Sequence, residues 1–299
     1  MQSGEKPPST DLSQSKLTLR PTQWITIAAF LPVLFGGMAV ANPFIQVEGS
    51  RWLEIESLIG DATITSIDGE SQSVQQGDRF SNVGDRLITA DASRSVLSVD
   101  TTVGFIDVFE NTDLQIQELR MVADGGRVTK LQINQGQARL RVRPFTHESS
   151  ELEIETPAGW SGVRGTEFGV TVHPDGKTGV ATLEGAVVSH AQGIEVSVNE
   201  GFQTLIIPGE PPTEPTPIDD TQATRLTPYV IEWVDPQTIG FSGKIDPVSL
   251  LIIENEPQVV NRDGTFDVLV DSPDNRRIQA TVVSPLGRQQ DYELSLPDR

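Results

Sequence analysis

The sequence predicts an all-β protein of two modules, on three observations. Apolar and polar residues alternate with a period of two in segment after segment, which turns one side of each strand inward and the other outward. Glycine-based turn signals recur every 8 to 15 residues, from Gly60-Asp61, Asp68-Gly69, Gly77-Asp78 and Gly84-Asp85 to Asp175-Gly176 and Glu184-Gly185. The 299 residues include 26 glycines and 20 prolines, and no amphipathic helix of ten residues stands out.

The chain opens with a polar stretch, residues 1–23, that brings Lys16 and Arg20 close to an uncharged run, WITIAAFLPVLFGGMAVA, from Trp24 to Ala41. Its eighteen residues sit at the short end of what spans a bilayer. Basic residues before the run and Ala39-Val40-Ala41 at its end fit a secretory signal cleaved before Asn42. The alternative for residues 1–41 is an uncleaved membrane anchor with a short cytoplasmic tail. The basic flank exports the bulk of the chain in either case. Residues 42–299 are therefore expected in the periplasm or at the cell surface, touching the inner membrane only through residues 24–41 if these are retained.

From Trp52 to Pro208 short strands follow one another. VLSVDTTVGFIDV alternates around Val96, Ser98, Val103 and Phe105, and KLQINQGQARLRVR alternates at Leu131, Ile133, Leu140 and Val142 with a hinge at Gly136. ELEIETP, FGVTV, GVATLEG and IEVSVNEG repeat the pattern. The domain at 42–207 is expected to be a short solenoid or roll, with a sandwich as the alternative. PGEPPTEPTPIDDTQ opens a proline-rich acidic linker, 208–227, which should lie extended as a semi-rigid spacer. Residues 228–299 hold at least four more strands, separated by Glu-Asn-Glu-Pro, Arg-Asp-Gly, Ser-Pro-Asp-Asn and Pro-Leu-Gly, which suits a small antiparallel sandwich.

Composition narrows the function. Without cysteine there are no disulfides, thiolate metal sites or cysteine nucleophiles. A net charge of -20 repels phosphate backbones, so nucleic acid is not an expected partner, and it keeps the surface solvated. His147, His173 and His190 lack metal-ligand spacing and are expected as exposed loop residues, so neither metal nor cofactor is expected. Asp68, Asp78, Asp85 and Asp124 adjoin glycines as turn residues without a calcium-loop ladder. No nucleophile elbow, phosphate loop or dinucleotide fingerprint is present, and 42 carboxylates offer no basis for choosing a glycosidase pair. An enzyme is not expected.

The most specific stretch is TPAGWSGVRGTEFGVTV, residues 156–172. After Thr156, Pro157 ends the preceding strand. Gly159, Gly162 and Gly165 allow dihedrals or close approaches that a side chain would block. Arg164 presents five donors in a rigid fork, suited to turn carbonyls or to a carboxylate, with Glu184 as the expected partner. Phe168, Val170 and Val172 then alternate into the core. The corner of Arg164, Gly165 and Thr166, with Glu184 and Gly185 from the later strand, reads as a structural fastening.

IETPAGWSGVRGTEFGV resembles the most diagnostic segment of a FecR domain. The glycine-aspartate pairs before LITADASRSVLSV, the strand pair LQINQGQARLRV and the closing VATLEGAVVS are similar to its other parts, over roughly Ile55 to Leu205. The family's namesakes are membrane-spanning anti-sigma regulators with a cytoplasmic helical domain and a periplasmic FecR domain that reads an outer-membrane transporter. This chain departs from that plan. Its tail of 23 residues is too short for a sigma-binding domain, and DGTFDVLV and ATVVSPLG are similar to bacterial Ig-like repeats instead. Some relatives self-cleave at a glycine-threonine pair, which here would mean attack by the Thr166 hydroxyl on the Gly165 carbonyl; of nucleophile, strain and base, the sequence shows only the first. The resemblance implies an exported, non-enzymatic domain that binds or senses at the cell envelope, with a protein or polysaccharide partner. Exposure of Trp160 or Trp233 would favour carbohydrate. The other readings are a membrane-anchored regulator of transmembrane signalling and an accessory module of a glycan-processing enzyme.

Overall fold

The computed structural model describes residues 51–100, 103–273 and 276–298, so the run at 24–41 and the choice between signal and anchor lie outside the described residues. All regular structure among the described residues is β. Glycine turns separate β1 (Leu53–Ile59), β2 (Ala62–Thr65), β3 (Ser71–Ser73), β4 (Arg79–Phe80), β5 (Arg86–Thr89) and β6 (Arg94–Val99). β7 (Gly104–Val108) and β8 (Asp113–Met121) lead to β9 (Arg127–Val142), the longest strand. Next come β10 (Glu151–Thr156), β11 (Gly159–Val163), β12 (Glu167–Val172) and β13 (Thr178–Glu184). β14 (Ala186–Ala191), β15 (Ile194–Asn199) and β16 (Phe202–Ile206) complete the first domain.

β9 belongs to two sheets. Gly136 bends it at φ +94°, at a point where a side chain would meet the Thr112 Cα at 2.5 Å. The half before the bend pairs with β8 and β10, and the half after it with β7 and β12. Leu97, Ile106, Leu140 and Phe168 from one sheet and Leu87, Ile116, Leu131 and Ile154 from the other share one buried cluster. Burial of each such side chain is worth about 1.5–3 kcal/mol, which lets packing hold the domain without disulfides. Every pairing among the described residues is antiparallel except β9 with β10. That is the pattern of a two-sheet roll, since solenoid coils would stack in parallel.

One buried arginine ties the two sheets together. Arg51 is 6% exposed, and its Nε lies 2.9 Å from the Asp100 carboxylate. Its remaining donors reach the Thr129 hydroxyl at 2.7 Å, the Arg120 carbonyl at 3.2 Å and the Val128 carbonyl. Burial pulls the guanidinium pKa down and Asp100 pulls it back up, with burial the larger effect.

The proline-rich segment does not act as a spacer. It runs along the first domain, where the Thr213 amide donates to the Leu205 carbonyl at 2.9 Å and β17 (Thr216–Pro217) pairs with β16, and then turns through residues 220–224. The remaining strands are β18 (Thr227–Trp233), β19 (Thr238–Lys244), β20 (Leu250–Ile253), β21 (Glu256–Gln258), β22 (Thr265–Asp271), β23 (Arg277–Val283) and β24 (Gln289–Ser295). They form a three-stranded sheet, β18-β19-β22, and a four-stranded sheet, β21-β20-β23-β24. Phe241 and Phe266 meet edge to face at 5.0 Å in the core of this sandwich, which also holds Leu251, Ile278 and Val282.

The sandwich sits directly on the sheet that contains β12 and β13. A side chain at Gly169 would stand 1.8 Å from the Pro285 carbonyl oxygen, and one at Gly179 would stand 2.4 Å from that of Val248. Gln137 donates to the Ser284 carbonyl and, at 3.2 Å, to that of Pro285, and Gln203 reaches the Asp246 carboxylate at 3.0 Å. Thr171 donates to the Val248 carbonyl and the buried Lys177 ammonium to that of Val260. Buried donors thus find acceptors across the seam.

Candidate functional site

Between β11 and β12 the chain turns through Arg164 and Gly165. Gly165 has φ +132°, and a side chain there would meet the Pro144 Cα at 2.4 Å. Thr166 exchanges both backbone hydrogen bonds with Val142 at 3.0 Å, and its buried hydroxyl donates to the Ala186 carbonyl at 3.0 Å. Gly185 at φ +83° closes over the corner, where a side chain would lie 3.1 Å from the Gly165 carbonyl oxygen. Thr156, before the Pro157 turn, donates to the Gly159 carbonyl at 3.1 Å and accepts from Thr178 at 2.9 Å. Phe168 is fully buried.

Arg164 itself is exposed and donates to the Glu148 carbonyl, not to Glu184. The turn carries it toward the loop at 143–150, whose Phe145 amide binds the Arg164 carbonyl at 3.1 Å. Glu184 is exposed in the β12–β13 pairing, opposite Glu167. The carboxylate held beside the corner is Glu167, gripped by Arg139 at 2.6 Å. Of the two kinds of acceptor that suit Arg164, it thus takes a loop carbonyl and not the carboxylate of Glu184.

A cavity of about 280 Å³ is lined by Gly165, Thr166, Glu167 and Glu184. The Thr166 hydroxyl gives its proton to a carbonyl, which is no base, and Arg139 occupies Glu167. The corner thus supplies a nucleophile and a left-handed glycine, but among the described residues no base in contact with the hydroxyl.

His173, expected in an exposed loop, is fully buried at the end of β12, with both ring nitrogens unpartnered. Burial, and secondarily the Lys177 charge, push its pKa down to about 3. His147 lies 3.0 Å from the Ser149 hydroxyl, and His190 stacks on Trp160. Among the described residues no three histidine or carboxylate side chains are grouped to hold a metal.

Among the described residues, nothing covers the outer face of the second sheet of the roll. Glu155, Trp160, His190 and Glu195 stand opposite one another on β10, β11, β14 and β15. The half-buried Trp160 and His190 rings stack with centroids 4.9 Å apart and planes at 21°. The indole edge leans over Gly162, where a side chain would come within 3.3 Å of it. The row continues to Gln132 on β9 and Gln115 on β8. Beside it, Lys130 lies 3.4 Å from Glu153 and 3.6 Å from Glu151. Burial would lower the lysine pKa, but these carboxylates outweigh it and leave it raised; burial raises that of Glu153 despite Lys130. A shallow cavity of about 430 Å³ runs from Trp160 past Glu151 and Glu153 to Arg164. The sequence carries no mark of the Trp160–His190 pair, whose members lie on strands separated by two others.

The family model described as FecR protein matches residues 85–188, which contain the bent β9, the glycine corner and the Trp160–His190 pair. This stretch is a FecR domain. Two crystal structures of provisionally assigned anti-sigma factors from Parabacteroides distasonis ATCC 8503 are similar to the chain. One has a TM-score of 0.37 at 12% identity over 46% of this chain and 61% of that one, less than two thirds of its length. The other has 0.38 at 13% identity, over 48% and 68%. The polysaccharide lyase BACCELL_00875 aligns at a TM-score of 0.20 and 8% identity, over 80% of this chain and 39% of the lyase. No curated protein matches the chain. Around the FecR domain, β1 to β4 precede the matched residues, and the strands from β15 onward follow them.

Proposed function

We propose that the protein is a non-enzymatic, exported FecR-type regulator that binds an envelope partner on the open sheet of its FecR domain. The observation that carries this reading is the difference between the two sheets. One is occupied by the protein's own C-terminal sandwich, through Gly169, Gly179 and the donors of Gln137 and Gln203. The other presents solvent-facing polar side chains around a stacked Trp160–His190 pair. The seated sandwich, which we read as Ig-like, fixes the orientation of the FecR domain. If residues 24–41 are retained, the same binding event reports across the inner membrane.

The test is capture from envelope extract with residues 42–299. A partner should be retained by the wild type and lost by Trp160→Glu. Retention of every captured species by Trp160→Glu would remove the open sheet from the account. An N-terminus at Asn42 in the mature protein would eliminate the membrane-anchored form.

A further inference from the structure

We propose that the row of Glu155, Trp160, His190 and Glu195 binds a neutral linear polysaccharide laid across the strands, with one sugar ring on the indole. The inference rests on the reading of the open sheet as the binding surface and names what binds there. The first argument is spacing. Adjacent strands lie about 4.8 Å apart, so these four positions span about 14 Å, and extension through Gln132 and Gln115 brings the row to about 24 Å. A straight track of that length, one side chain per strand, fits an extended chain of sugar rings.

The second argument is chemistry. A half-buried indole offers an apolar platform for the C–H face of a sugar, and Gly162 leaves room for it to lie over the sheet. Carboxylates on both sides accept hydrogen bonds from hydroxyls, and side-chain amides both donate and accept. Gln132 is already oriented by a 2.8 Å hydrogen bond to Asn134.

The third argument is charge. Of the cations near the row, Lys130 is paired with Glu151 and Glu153 and Arg86 with Asp113, and the exposed Arg164, at the far end of the cavity from Trp160, donates to the Glu148 carbonyl. Glu155 and Glu195 add negative charge in a chain of net charge -20. An anionic glycan would meet repulsion here, whereas a neutral one exchanges only hydrogen bonds. A protein partner would need buried aromatic or aliphatic anchors. Apart from Trp160 itself, the open face offers, among the described residues, only scattered apolar side chains: Val188, which is 38% exposed, and the half-buried Ile88 on β5.

The test is affinity electrophoresis of residues 42–299 in gels containing soluble mixed-linkage β-glucan, dextran or arabinoxylan, with polygalacturonate as the anionic control. At least one neutral glycan should retard the protein. Trp160→Ala should weaken that binding at least about tenfold, as expected for loss of a central aromatic anchor. Glu195→Lys, at the exposed end of the row, should weaken it by a smaller factor, and Leu269→Ala on the sandwich should leave it unchanged. Retardation by none of the three glycans, equal binding by Trp160→Ala, or preference for polygalacturonate would overturn the proposal. An envelope protein captured by the wild type and lost by Trp160→Ala, with no glycan bound, would overturn it while leaving the open sheet as the binding surface. Matching melting temperatures for wild type and variants establish that each effect lies in binding.

Discussion

On the covered sheet of the FecR domain the outward positions of β12 and β13 include Gly169, Thr171 and Gly179, whereas on the open sheet those of β10, β11 and β14 are Glu155, Trp160 and His190. The two sheets share a core and a strand, so burial of their inner faces does not distinguish them. What differs is the height of the outer side chains. Glycine and short polar residues let another backbone come within hydrogen-bonding distance of the sheet, and the sandwich carbonyls at Val248 and Pro285 do so. Long polar and aromatic side chains keep backbone away and present their own chemistry. A sheet face that carries another domain and one that none of the described residues covers are thus distinguishable residue by residue.

The largest effect should come from breaking the frame that both faces share. Arg51→Met leaves the Asp100 carboxylate buried without its charge partner and frees the carbonyls of Val128 and Arg120. Loss of one member of a buried ion pair costs about 3–5 kcal/mol. Urea denaturation should show a destabilisation of that size, and a loss below about 1 kcal/mol would mean that Arg51 does not tie the sheets together. Next comes the seam. Gly169→Val places a side chain against the Pro285 carbonyl and should cost about 1–3 kcal/mol, with new protease sensitivity between residues 208 and 227. Gly162→Ala on the open sheet meets only the edge of a ring and should cost less than about 1 kcal/mol. Equal costs at the two glycines would end the distinction between the faces.

A third test uses pH. His173 is neutral in the folded protein, with its pKa pushed from the ordinary value of 6.5 down to about 3. The unfolded chain therefore binds a proton that the native one refuses. Stability from this group is full above pH 6.5 and falls as the pH drops toward 3. Between pH 7.5 and pH 5 the loss is about 2 kcal/mol. His173→Leu should remove that share of the pH dependence, whereas Lys177, whose charge acts on the ring, and Asp175, which acts on Lys177, remain. Parallel stability-against-pH curves for wild type and variant would show that the ring is hydrated in solution.

Much of this was legible in the chain because alternation is a local signal. The hinge at Gly136 and the run Phe168, Val170, Val172 declare their faces without reference to any distant residue. The clamp was not legible, since Arg51 finds its partners 49 to 78 positions away, and nothing in its neighbourhood marks it. His173 and Lys177 lie in His-Pro-Asp-Gly-Lys, which reads as an exposed turn until tertiary packing buries both side chains. The prolines at 208–227 mark a segment without a core of its own but not its course, which is set by Thr213 and β17 lying against β16 and by the turn at 220–224. Within the candidate site, the sequence marked Trp160 as a possible sugar contact but could not show that His190 stacks beside it.

The smallest effect is expected at Arg164. Arg164 is exposed and makes one side-chain hydrogen bond among the described residues, to the Glu148 carbonyl. Water can replace that acceptor, so Arg164→Ala should change stability by less than about 0.5 kcal/mol. Thr166 is the sharper probe of the same corner. Its hydroxyl satisfies the Ala186 carbonyl from a buried position, so Thr166→Val should cost about 1–3 kcal/mol. If the corner is architecture, the wild-type chain stays intact on prolonged incubation and Thr166→Val loses stability alone. If instead the wild type resolves into two fragments divided between Gly165 and Thr166, and the valine variant does not, the corner is reactive. The carboxylate of Glu184, which lines the same cavity, would then be the first base to remove.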